Sequence, residues 1–167
     1  GFRGITNATN ERTVIAAVFP RAGVGNSLPL IVYDQATTTD KLGAVLVANL
    51  SALCLDFAAR HKIGGANFNF FIARQLPVLS PQSYNDADLA FIVPRVLELS
   101  YTAHDLNPWA EALGYDGPPF PFDPDRRAQL RAELDAYYAR LYGLTREDLC
   151  YILDPASVMG EDYPSET

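Results

Sequence analysis

Residues 60–81, RHKIGGANFNFFIARQLPVLSP, constrain this chain more than any other stretch. Adjacent glycines, Gly64 and Gly65, follow three basic side chains, Arg60, His61 and Lys62. Glycine weakens a helix interior, so a helix arriving from upstream should stop here. Pro77 and Pro81 bracket the apolar exit, and residues before proline are pushed out of the helical region. Asn67 to Ile72 reads as a strand. Alternation would place Phe68, Phe70 and Ile72 on one face and Asn67, Asn69 and Phe71 on the other. Ser80 before Pro81 suits a helix N-cap followed by proline at the first helical position.

Upstream, residues 2–19 read as strand, turn, strand. Val14, Ile15, Val18 and Phe19 favour extended chain and Pro20 ends the run. The turn between them carries Asn7, Thr9, Asn10 and Thr13, whose short side chains bond local backbone. Residues 21–27 form a glycine-containing loop that lacks the Gly-Lys-Ser/Thr of a phosphate cradle and the third glycine of a dinucleotide site. Residues 28–33 read as another strand, with Pro29 suggesting an edge. Residues 40–61 read as one long helix, with an apolar stripe of Leu42, Leu46, Leu50, Leu53 and Phe57. Thr39 or Asp40 would cap it. Arg60, His61 and Lys62 would meet the negative end of its dipole.

Beyond residue 82 the pattern is helical. A helix over about 89–101 contains Pro94, a second starts at Asn107-Pro108 and ends by Gly114, and a third is capped by Asp123-Pro124 and ends at Gly143. Thr145 and Asp148 have capping-box spacing for a last helix reaching Leu153. The expected fold class is therefore α+β: a mixed α/β recognition module over 1–80, a helical module over 81–155 and a polar tail over 156–167.

Charge is divided unevenly. Residues 1–85 hold seven Lys and Arg against four Asp and Glu, whereas residues 86–167 hold six against sixteen. A first half that meets phosphate and a second that meets water or protein would show this split. No apolar run reaches the ~20 residues of a membrane span. Cys54 and Cys150 lack disulfide or metal spacing and suit buried positions in a reducing, cytoplasmic compartment. The opening Gly1-Phe2 and the polar end are expected of a piece of a longer protein.

Catalytic constellations are sparse. Cys54, Asp56 and His61 lie close in sequence, but 54 and 56 point apart on a helix. His104 with Asp105 and Glu98 lacks metal-ligand spacing. The expectation is a binding module with no catalytic and no metal residues. Arg12, Arg21, Arg60, Lys62 and Arg74 are candidates for positioning phosphates, and Asn10, Thr13, Asn67 and Asn69 for base edges. A pure interaction or structural domain, in which the basic turn only terminates a helix, is the competing class.

Thr9 to Thr13 followed by Val14-Ile15-Ala16-Ala17-Val18 resembles the start of the C-terminal region of large bacterial adenine-specific DNA methyltransferases. These include type IIG restriction–modification enzymes and related phage-defence methylases. The resemblance continues through residues 46–60, Lys62-Ile63-Gly64-Gly65, Asn69-Phe70-Phe71-Ile72 and Gln75-Leu76-Pro77-Val78-Leu79. It goes on through residues 94–99, 114–120, 131–136 and Tyr142-Gly143-Leu144, and so covers most of residues 2–155. The Leu76-to-Pro81 exit is also similar to the proline-rich ending of target-recognition domains in type I specificity subunits. The resemblance implies a target-recognition domain and a helical C-terminal region that bind double-stranded DNA beside the catalytic methyltransferase domain of the same parent chain. That parent would bind S-adenosylmethionine and flip the target adenine into an Asn/Asp-Pro-Pro-Tyr/Phe pocket. Neither Asp154-Pro155-Ala156-Ser157 nor Asp116-Gly117-Pro118-Pro119 is that motif. The cofactor-binding glycine loop and any nuclease motif are also missing, so this stretch is expected neither to methylate nor to cut.

Overall fold

Residues 42–59 are almost continuously apolar or small, yet they do not form the single expected helix. They fold as α1, Asp40–Ser51, and α2, Leu53–Arg60, bent 55° at the break. Ala52 between them is extended, at φ −69° and ψ 140°. The computed structural model describes residues 1–7, 10–33 and 39–154. The further helices are α3 (Phe70–Ala73), α4 (Asp86–Ser100), α5 (Asn107–Ala112), α6 (Pro124–Leu141) and α7 (Arg146–Leu153), with single 3-10 turns at Pro81–Ser83 and His104–Leu106.

Several helix signals act as expected. Asp123 accepts from the Asp125 and Arg126 N–H groups, and Thr145 and Asp148 form the reciprocal capping box. Asn85 and Asp88 make a second box at the start of α4. Gly114 and Gly143 take left-handed φ of 89° and 70° just past α5 and α6, where a side chain would be strained. Gly64 and Gly65 do not take that conformation. The chain leaves α2 instead through the Lys62 and Ile63 N–H groups, which both donate to the Ala59 carbonyl.

The expected α+β class is overturned, because the described residues contain no β-strand and the fold is all-α. Residues 1–6 are extended, but their donors go to different partners. Phe2 donates to Pro29, Arg3 to Ile15, Gly4 to Ser27 and Thr6 to Ala66. Divided in this way, the chain closes only two isolated antiparallel bridges, Phe2 with Ala16 and Ile5 with Asn67. Pro20 and Pro29 remove donors that a longer ladder would need. The expected strand at 67–72 is also absent. Asn69 turns its side chain back to accept from the Ile72 N–H at 3.1 Å and starts the one-turn helix α3. This local bond is the usual way in which Asn diverts the chain from a ladder.

The stripe of α1 is shifted as well. Ala44, Val45 and Ala48, rather than Leu42 and Leu46, are its most buried residues against α4 and α6. Small side chains there let the helices approach closely, and α1 packs more extensively on α4 than on any other element. Ile92, Val93 and Val96 of α4 and Leu134 and Tyr138 of α6 complete this core. A second cluster joins the extended layer to the other face of α1 and to α2, through Phe2, Val14, Leu50, Leu55, Ile63 and Phe68. A third, smaller cluster joins Leu97, Tyr101 and Ala110. Among the described residues no single helix is long and apolar enough to cross a membrane; α1 and α2 pass that test only as a bent pair.

Burial raises several acidic groups in and beside the first core. Cys54 is pushed from 9.0 up to about 11 and Tyr142 from 10.0 up to about 12, while Tyr138 is raised further. Above pH 9 an unfolded chain releases protons that the folded chain retains, so stability falls as pH rises through 9 to 12. Urea unfolding midpoints should therefore decline steadily over that window, and a constant midpoint would show that these groups are not buried in solution.

Candidate nucleic-acid interface

Two carboxylates organise the region in which the sequence places its phosphate candidates. Asp56 on α2 has no exposed surface. It accepts from the Val14 backbone N–H at 2.7 Å and from Arg60 Nε at 3.0 Å. Arg60 then donates to the carbonyls of Asn10 and Glu11, each at 2.8 Å. Asp135 on α6 accepts from the Leu53 backbone N–H and from Arg12, at 2.7 and 2.6 Å. Leu53 opens α2, so Asp135 satisfies a donor that the break at Ala52 leaves without a helical partner. Burial outweighs the neighbouring Arg12 guanidinium and raises the Asp135 carboxyl above its usual range.

The nine sequence candidates divide accordingly. Arg12 and Arg60 point inward as struts between the 10–14 segment and the helices. Thr13 is fully buried, and Asn10 donates from its side chain to the Thr6 hydroxyl. Asn69 is the cap of α3. Asn67, Lys62, Arg74 and Arg21 are exposed. Arg21 lies in the open 21–27 loop, whereas the other three belong to the single stretch that joins α2 to the proline exit.

That stretch is exposed but firmly anchored. Ile63, Phe68 and Leu76 are buried at intervals along it. Around them, His61, Lys62, Asn67, Asn69, Phe71 and Arg74 reach solvent, with Phe71 77% exposed. Its exit is clamped by Asn49, a fully buried residue of α1. Asn49 accepts from the Leu79 N–H at 2.8 Å and donates to the Tyr142 hydroxyl at 2.7 Å. The Tyr142 hydroxyl in turn donates to the Pro77 carbonyl at 2.7 Å. Residues 57–85 contain no Asp or Glu.

The structural roles of Asn49, Asp56 and Asp135 emerge only from the fold. A signal was present. Asn49 and Asp56 interrupt an otherwise apolar run, and Asp135 follows Leu134 and lies three residues before Tyr138 on the buried side of α6. Polar residues at buried positions demand partners.

Cys54, Asp56 and His61 do not converge. Asp56 is occupied as described, and His61 folds back on Phe57, with ring centres 4.6 Å apart and its Nδ1 2.8 Å from the Phe57 carbonyl. Cys54 faces a cleft of about 270 Å³ with Pro77, Tyr142 and Tyr151, and its raised thiol is a poor nucleophile. Among the described residues no three His, Cys, Asp or Glu side chains are grouped to hold a metal.

No family model matches this chain, and neither does any curated protein or solved structure.

Removing a buried charged strut strands its partner, so Arg60→Ala should lower unfolding free energy by about 3 kcal/mol. Lys62→Ala, two residues away and exposed, should change it by less than about 0.5 kcal/mol. Urea denaturation of both variants distinguishes the roles; equal effects would contradict the division between strut and surface.

Proposed function

We propose that this chain is the recognition and scaffold region of a bacterial adenine-specific DNA methyltransferase of the restriction–modification or phage-defence kind. It would hold duplex DNA for a catalytic domain elsewhere in the same parent protein. The observation that carries this reading is the anchored stretch of residues 57–85, which contains no Asp or Glu. Lys62 and Arg74 would contact phosphates there, and Asn67 and the free amide of Asn69 would face base edges. Arg21 is a further phosphate candidate from its own loop. Arg12, Arg60 and Thr13 serve this function only indirectly, by fixing the scaffold beneath. S-adenosylmethionine belongs to the catalytic domain in this reading, and the place of action is the cytoplasm.

A second contribution is favoured by the apolar surface of residues 1–33. Ile5, Ile15, Phe19, Leu30, Ile31 and Val32 are all at least 39% exposed, and Val32 reaches 87%. Exposed apolar residues gathered in one stretch suit a protein interface. Docking of this surface on the methyltransferase domain would set the distance from the recognition stretch to the flipped base.

The test uses the intact parent and a duplex carrying its methylation site. Lys62→Glu combined with Arg74→Glu should weaken binding and reduce the slope of log affinity against log salt by about two, near 0.9 per lost phosphate contact. The unfolding midpoint should not move. Unchanged affinity and slope in a folded double variant would remove the DNA role and leave the chain as an interaction scaffold.

A further inference from the structure

An open cleft of about 610 Å³ lies between residues 14–18 of the extended layer and the helices α1, α4 and α6. Its helical floor is apolar, formed by Val47, Ala48, Val96, Leu99 and Leu134. Arg3, Arg12, Arg127 and Arg131 line it, against the carboxylates of Glu11 and Asp135. The cleft is thus locally basic in a chain of formal charge −7. Two of these arginines come from the acid-rich half of the sequence.

These guanidiniums keep donors to spare, since each carries five N–H groups. Arg12 gives one to Asp135, Arg131 one to Glu11 at 3.1 Å, and Arg127 one to the Leu99 carbonyl at 2.8 Å. Arg3 is exposed and has no ion-pair partner among the described residues.

The main chain of the wall is also unfinished. The Ile15 carbonyl and the Ala17 N–H pair with residues 1–3. Extended backbone alternates, so the groups of Val14, Ala16 and Val18 face the opposite way. On that side the Val14 N–H is taken by Asp56. The Ala16 N–H and carbonyl and the Val18 N–H have no hydrogen-bond partner among the described residues. Residues 14–18 all line the cleft.

We propose that this cleft takes an extended polypeptide segment with alternating apolar and acidic side chains. The segment would add as a strand to the free edge at Ala16 and Val18. Its apolar side chains would cover the helical floor, and its carboxylates would reach Arg3, Arg127 and Arg131. A nucleic acid fits less well, because the wall offers an acceptor as well as donors and, among the described residues, no aromatic side chain lines the cleft for base stacking. This inference does not depend on the DNA reading, since neither Arg3 nor the cleft edge belongs to the 57–85 surface.

The probe is a short fluorescein-labelled peptide of alternating valine and glutamate, with a valine–lysine twin as control. Anisotropy should show binding of the glutamate peptide only. Amide hydrogen exchange at Ala16 and Val18 should slow on binding. Arg3→Glu, at an exposed position, should weaken binding roughly fivefold, the scale of one exposed ion pair, with the unfolding midpoint unchanged. Absence of binding, equal affinity for the twin, or binding without slowed exchange at Ala16 and Val18 would overturn the proposal. So would displacement of the peptide by a single-stranded oligonucleotide that protects the same amides.

Discussion

The arrangement of this molecule depends on two carboxylates, one buried and one half-buried, that accept backbone donors. Asp56 and Asp135 each accept one main-chain N–H and one arginine. A carboxylate taken from water needs such partners, because its desolvation costs several kcal/mol. In return the pair fixes three things at once. Asp135 stabilises the 55° break between α1 and α2, Asp56 holds residue 14 against α2, and the two arginines tie the 10–12 backbone to the helices. Loss of either carboxylate would leave a backbone N–H without its acceptor and remove an arginine's ion pair in a partly buried place.

This constraint changes the meaning of the positive charge in the first half of the chain. Arginine is suited to both phosphate clamping and buried carboxylate pairing, because its planar fork presents several donors. In Arg12 and Arg60 the second use prevails. Charge available to a ligand then comes from Lys62 and Arg74 on the anchored 57–85 surface, from Arg21 and from the Arg3 side of the cleft. The Asn49–Tyr142–Pro77 clamp ties down the chain where it leaves that surface.

The helical half was largely legible in the sequence. The caps at Asp123 and Thr145 and the stops at Gly114 and Gly143 act through local chemistry that a short window contains. The first half is less legible, because strand formation there depends on pairing at long range. Residues 1–6 are extended as their sequence suggests, but donors divided between segments 15, 27, 29 and 66 give bridges in place of a sheet. The break at Ala52 was illegible locally, since the group that stabilises it is Asp135 of α6. At the candidate site, the exposed positions of Lys62, Asn67 and Arg74 followed from their place around a glycine bend. The inward turn of Arg12 and Arg60 did not, because their carboxylate partners are defined only by the tertiary fold.

Native-state hydrogen exchange at two amides tests the central role of the carboxylates most directly. The Val14 and Leu53 N–H groups lie outside any helical ladder that would protect them, and each donates to a carboxylate oxygen. If Asp56 and Asp135 hold the molecule together, both amides should exchange as slowly as the core amides of α4 around Ile92, through global unfolding. Exchange at the rate of the exposed 21–27 loop would contradict this.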